Sequence, residues 1–68
     1  MHQTELGNKI KIRREELDVT QEHLAELAHV GLRTLKEIET GKGNPTIATL
    51  VKLTDVLGME LKIEVKKP

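Results

Sequence analysis

The chain has 68 residues, no cysteine and no aromatic side chain, and eleven basic residues balance eleven acidic ones to a formal net charge of zero. Disulfides, thiol catalysis and cysteine-based zinc sites are excluded, and without aromatic platforms for unstacked bases, RNA and single-strand binding are disfavoured. With no apolar run near a membrane span of ~20 residues and no signal-peptide core in MHQTELGNK, the expectation is one soluble, cytoplasmic domain over residues 1–68.

From Glu5 to Leu17 the apolar positions Leu6, Ile10 and Leu17, with Arg13, Arg14, Glu15 and Glu16 between them, predict an amphipathic helix; Ile12 falls off its stripe. Asp18 suits a helix exit and Val19 a buried link. Thr20 is an N-cap, and Gln21 and Glu22 open a second helix whose inward face is Leu24, Ala25 and Ala28. Ala25 is small enough for another helix to cross close by. The pattern breaks at His29-Val30-Gly31. Gly31 can cap a third helix with Leu35 and Ile38 inward, closed by Gly41 in a left-handed conformation.

Two short helices joined by a three-residue turn over Thr20–Gly41 form the helix-turn-helix pattern, in which the second helix enters the major groove of duplex DNA. Its outward residues Leu32, Arg33, Lys36 and Glu37 are the expected readers, with Thr34 near the groove wall. Charge is distributed accordingly. Residues 18–31 carry Asp18, Glu22 and Glu26 without Lys or Arg, whereas residues 32–43 carry Arg33, Lys36 and Lys42 against Glu37 and Glu39. Arg33 is expected to take a guanine in preference to being a solvated surface arginine, while Gln21, Lys36 and Lys42 suit phosphate contacts. For Glu37 two readings stand side by side: it accepts from a cytosine amino group, or it pairs with Arg33 four residues earlier.

The Gly41–Pro45 loop interrupts any helix, and Thr46 caps a fourth whose expected core face is Ile47, Leu50, Leu53 and Leu57, closed by Gly58. Beyond it Glu60-Leu61-Lys62-Ile63-Glu64-Val65-Lys66 alternates polar and apolar, a strand period. A strand over 59–67 has no partner strand elsewhere in the chain, so it is expected to pair with a second copy through Leu61, Ile63 and Val65. Antiparallel pairing about a two-fold at Ile63 sets Glu60 against Lys66 and Lys62 against Glu64, every polar pair opposite in sign. Centring on Lys62 or Glu64, or pairing in parallel register, opposes like charges.

These residues resemble the lambda-repressor and Cro-like, XRE-type helix-turn-helix family over essentially the whole chain. The resemblance rests on Leu6-Gly7, Ile10, Arg14, Thr20-Gln21, Leu24-Ala25, Leu35, Ile38-Glu39, Gly41-Lys42, Pro45 and Leu57. It implies an all-α bundle of about five short helices, a DNA-backbone contact at Gln21, base-edge contacts from Leu32, Arg33, Lys36 and Glu37, and an orienting ion pair between Arg14 and Glu39. Two independent surface charges are the alternative for that pair. His29 stands where the family has a turn glycine, Gly31 where it has a Ser or Thr cap, and Leu32 where a polar reader is common; leucine suits a thymine methyl group. The tail looks like that of HipB-kind antitoxins, which repress their own operon and bind a kinase-like toxin.

No catalytic constellation competes with this reading. His2, His23 and His29 lack ligand spacing, adjacent Glu15 and Glu16 point to different sides of a helix, and the 41–45 loop is not a phosphate-binding loop, so no enzyme activity, metal or cofactor is expected. The expected function is a homodimeric repressor on a palindromic operator, autoregulatory and with a toxin as further partner; the alternative is a protein-interaction module in which DNA binding is incidental.

Overall fold

Four helices account for the regular structure among residues 2–66, the residues that the computed structural model describes: α1 (Gln3–Glu16), α2 (Gln21–Ala28), α3 (Leu32–Glu39) and α4 (Ile47–Leu57). Two start on side-chain caps. Thr20 Oγ1 accepts the His23 N–H at 3.0 Å, and Thr46 Oγ1 accepts the Thr49 N–H at 3.1 Å. Gly31 begins α3 with extended backbone and no side-chain bond.

All four helices stop in the same way. A residue in the left-handed region follows each: Asp18 (φ 55°), His29 (φ 57°), Gly41 (φ 77°) and Gly58 (φ 68°). The N–H of the next residue then reaches back to a carbonyl five positions earlier: Val19 to Arg14 (3.1 Å), Val30 to Ala25 (2.9 Å), Lys42 to Glu37 (2.8 Å) and Met59 to Thr54 (2.8 Å). These are Schellman closures, and in three of them the closing residue, Val19, Val30 or Met59, turns apolar surface onto the core. Histidine and aspartate tolerate the left-handed region better than most side chains, which lets the chain turn twice without glycine.

The core is aliphatic: Ile10 from α1, Leu24, Ala25 and Ala28 from α2, Leu35 and Ile38 from α3, and Leu50, Leu53 and Leu57 from α4. α1 packs on α3 and α4, and α2 on α3 and α4. Two contacts pin α1. Gly7 lies so close to α3 that a Cβ there would collide with the Ile38 carbonyl oxygen, and Arg13 Nε donates to the Leu57 carbonyl at the end of α4 at 2.9 Å.

A buried ion pair completes the α1–α3 junction. Arg14 Nε donates to Glu39 Oε2 at 2.7 Å and its Nη2 to Oε1 at 3.0 Å, while Nη1 donates to the Val19 carbonyl at 2.8 Å. The side chains are 11% and 2% exposed, so these are not two independent surface charges.

The structure corrects four expectations. The bundle has four helices among the described residues, not about five, because the segment after Gly58 alternates in a way that no amphipathic helix can bury. Ile47, expected in the core, is 68% exposed because it opens α4 before the helix reaches its neighbours, and Leu17 lies past the end of α1, 41% exposed. Residues 59–66 form no strand in the single chain, where no second strand supplies hydrogen bonds; Lys67, the last residue of the expected strand, lies outside the described residues.

Two stability measurements test this packing. Gly→Ala inside a helix ordinarily gains about 1 kcal/mol, but Gly7→Ala should instead lower the urea midpoint, because accommodating the methyl costs about 1–3 kcal/mol of displaced packing; a raised midpoint would mean a looser α1–α3 contact. Glu39→Ala should lose about 3–5 kcal/mol by stranding the Arg14 charge, and the double replacement Arg14→Met with Glu39→Leu should recover most of it.

Candidate nucleic-acid interface

The eight residues of α3 divide by face. Leu35, Ile38 and Glu39 are buried, Arg33, Thr34 and Lys36 are exposed, and Leu32 and Glu37 lie between. The buried side is fixed by the aliphatic core at its middle and by the Arg14 ion pair at its end, so the outward side is presented on a supported helix. Thr40 Oγ1 donates to the Lys36 and Glu37 carbonyls at 3.0 and 3.1 Å, and the Lys42 closure takes the Glu37 carbonyl as well. The C-terminal end of α3 is therefore closed by the chain itself.

Of the expected readers, Arg33, Lys36 and the neighbouring Thr34 are open to solvent. Arg33 is 95% exposed and Glu37 44%, with Nε and Oε1 3.4 Å apart, an exposed pair of little energetic weight that leaves both groups available. Leu32 is placed differently from the others. It is half-buried against the core, so part of its side chain is committed to packing.

Gln21, at the start of α2, is tied to α3. Its Nε2 donates to Glu39 Oε1 at 3.0 Å, on the oxygen that also accepts Arg14 Nη2. An amide nitrogen carries two hydrogens, so one remains for an outside acceptor such as a phosphate. The Glu39 hydrogen bond is the main cause that raises the Arg14 pKa above its ordinary value, and burial opposes it only in part. The guanidinium stays charged, and Gln21 inherits a fixed position from the pair.

Lys42 is exposed on the loop after α3, where its ammonium is free while its backbone N–H is consumed by Glu37. The loop and α3 enclose a shallow cleft of about 190 Å³ lined by Thr34, Glu37, Ile38, Lys42, Gly43, Asn44 and Pro45. Thus Gln21, Arg33, Thr34, Lys36, Glu37 and Lys42 belong to α2, α3 and the loop that follows, while Leu61, Ile63 and Val65 lie on the tail beyond α4. Sequence reading missed the Gln21–Glu39 bond, although the Thr20 cap that fixes Gln21 at the first helical position was visible. It also assigned no contact to Gly7 or Arg13, whose roles depend on distant residues.

A family model described as helix-turn-helix matches residues 10–63. An uncharacterised HTH-type transcriptional regulator of Sinorhizobium fredii is 32% identical over 59 residues, covering 87% of this chain and 78% of the relative. With the α2–turn–α3 unit in place, the chain belongs to the XRE-type helix-turn-helix family.

Proposed function

We propose that this domain is a sequence-specific, double-stranded DNA-binding transcriptional repressor that acts as a homodimer on a palindromic operator, its own promoter included. The observation that carries the reading is the supported outward face of α3. Arg33 and Lys36 stand exposed on a helix whose other face is locked, beside a Gln21 that is positioned by the same buried ion pair. Gln21, Lys36 and Lys42 then hold phosphates, while Arg33 and Glu37 address base edges, with Thr34 at the groove wall and the exposed part of Leu32 against a thymine methyl.

The tail supports the dimer. Met59, Leu61, Ile63 and Val65 would share one side of the proposed strand. Met59 packs on the core and Leu61 is 37% exposed, lining a groove of about 520 Å³ with Leu6, Ile10 and Thr54; Ile63 and Val65 continue that side but are 95% and 94% exposed. A second copy paired at Ile63 satisfies the strand edge and the alternating charges together. Two reading helices would then lie about 34 Å apart, matching half-sites one turn apart. The antitoxin role, carried by the tail's resemblance, adds a kinase-like toxin as a further partner, testable by co-purification.

The decisive titration compares DNA from immediately upstream of the gene with random duplex at two salt concentrations. A protected palindrome with preference over random DNA is expected; weak binding without preference would leave the interaction-module reading in first place. On that operator Arg33→Ala should lose about 1–3 kcal/mol of specific affinity, whereas Lys42→Ala should weaken all sequences alike and reduce the salt slope by about 1. In sedimentation, Glu64→Lys should shift the protein toward monomer and adding Lys62→Glu should restore the dimer; indifference to both would reject the Ile63-centred register.

A further inference from the structure

α3 contains two carboxylates, and their surroundings differ. Glu39 is buried and engaged, its oxygens taking Arg14 and Gln21. Glu37 sits one turn beyond Arg33 on the outward side, with Oε1 3.4 Å from the Arg33 Nε. Its other oxygen lies over the loop: a Cβ on Gly43 would come within 3.0 Å of Glu37 Oε2. Gly43 has φ +76°, and the Glu37 carbonyl is held by the Lys42 N–H at 2.8 Å. The exposed carboxylate of α3 is thus paired with Arg33 and seated in the seam between α3 and the loop, beside Thr34 and Asn44.

An ionised carboxylate only accepts hydrogen bonds. Guanine N7 and O6 and thymine O4 are acceptors too, and phosphates are anionic, so only cytosine N4 and adenine N6 offer the major-groove donors that Glu37 needs. Adenine sets its N7 acceptor beside N6, against the second carboxylate oxygen, whereas cytosine presents N4 without that neighbour. Arg33 has the opposite requirement. Its donors match guanine N7 and O6, and the backbone positions of the two residues, four apart, are separated by ~6 Å along the helix axis, one to two base-pair steps.

Resting on the DNA-binding reading above, we propose that Glu37 is the specificity-determining residue of the reading helix. It demands a cytosine amino group within one or two steps of the guanine taken by Arg33, and it repels duplexes that lack one. The ligand class is therefore a duplex with a mixed guanine–cytosine core in each half-site. Arg33 alone would accept guanine in many contexts; the carboxylate removes most of them.

The test begins with selection of duplexes from a random pool by the wild-type protein, followed by titration of wild type and E37Q on selected and random DNA. Glutamine nearly preserves shape but removes the charge and adds a donor. The selected half-site should contain the guanine and cytosine, and E37Q should bind random DNA more tightly while losing on the order of tenfold of the selected-to-random ratio. A cytosine analogue lacking the 4-amino group at that position should weaken wild-type binding similarly and affect E37Q much less. An unchanged ratio in E37Q, or equal wild-type binding to the analogue, would overturn the role of Glu37 while leaving sequence-specific binding intact. A wild-type protein that selects no sequence would overturn both.

Discussion

The buried pair between Arg14 and Glu39 is the constraint on which the rest of the arrangement depends. It joins the end of α1 to the end of α3, and through Gln21 it reaches the start of α2. Every nitrogen of the arginine fork is used: Nε and Nη2 on the carboxylate, Nη1 on the Val19 carbonyl that follows the α1 turn. A lysine could not make this set, since its ammonium is a point charge without the planar geometry. Burying two charges costs desolvation that their attraction only roughly offsets, so the pair contributes less to net stability than to holding one arrangement of the helices. Apolar side chains of equal volume could bind α1 to α3, but they could not orient Gln21.

Around that junction the domain gains definition from its helix ends. A chain of this size buries only about 60% of its unfolded surface, and its core has no aromatic side chain. Four Schellman closures compensate in geometry. Each stops a helix within two residues and three feed an apolar side chain back into the core, so short helices meet at fixed angles without long loops. At His29 the closure also sets the turn between α2 and α3, and with it how far α3 projects. Ala25 and Ala28 contribute to the same end by keeping α2 slim where it meets the bundle.

Which features were legible follows from their range. The caps Thr20 and Thr46 and the stops Gly41 and Gly58 are local chemistry, and the structure places all of them where the chain's own residues predict. Helical periodicity found the stripes but not their ends. Leu17 and Ile47 have the right spacing and lie beyond the reach of neighbouring helices, which only the packed bundle reveals. Gly7 and Arg13 act through Ile38 and Leu57, residues far away in the chain, and no periodicity encodes that. Leu32 shows the same limit at the candidate site: an outward position by sequence, it is shared with the core because α3 begins close to it.

The zero net charge follows a logic consistent with the proposed function. A strongly basic protein binds any duplex through counterion release, and its specific sites must compete with that background. Here the positive groups of the interface are few, and one carboxylate of α3 remains on the outward side, so attraction to arbitrary DNA is kept low. One reading helix with so few contacts would bind its half-site weakly. In the proposed dimer, pairing two of them through the tail would make the second contact intramolecular, at a high effective concentration, and would multiply discrimination without any new contact to DNA. Exposed Ile63 and Val65 would be a liability in a monomer. In the proposed dimer they would become the means by which a small, neutral domain discriminates.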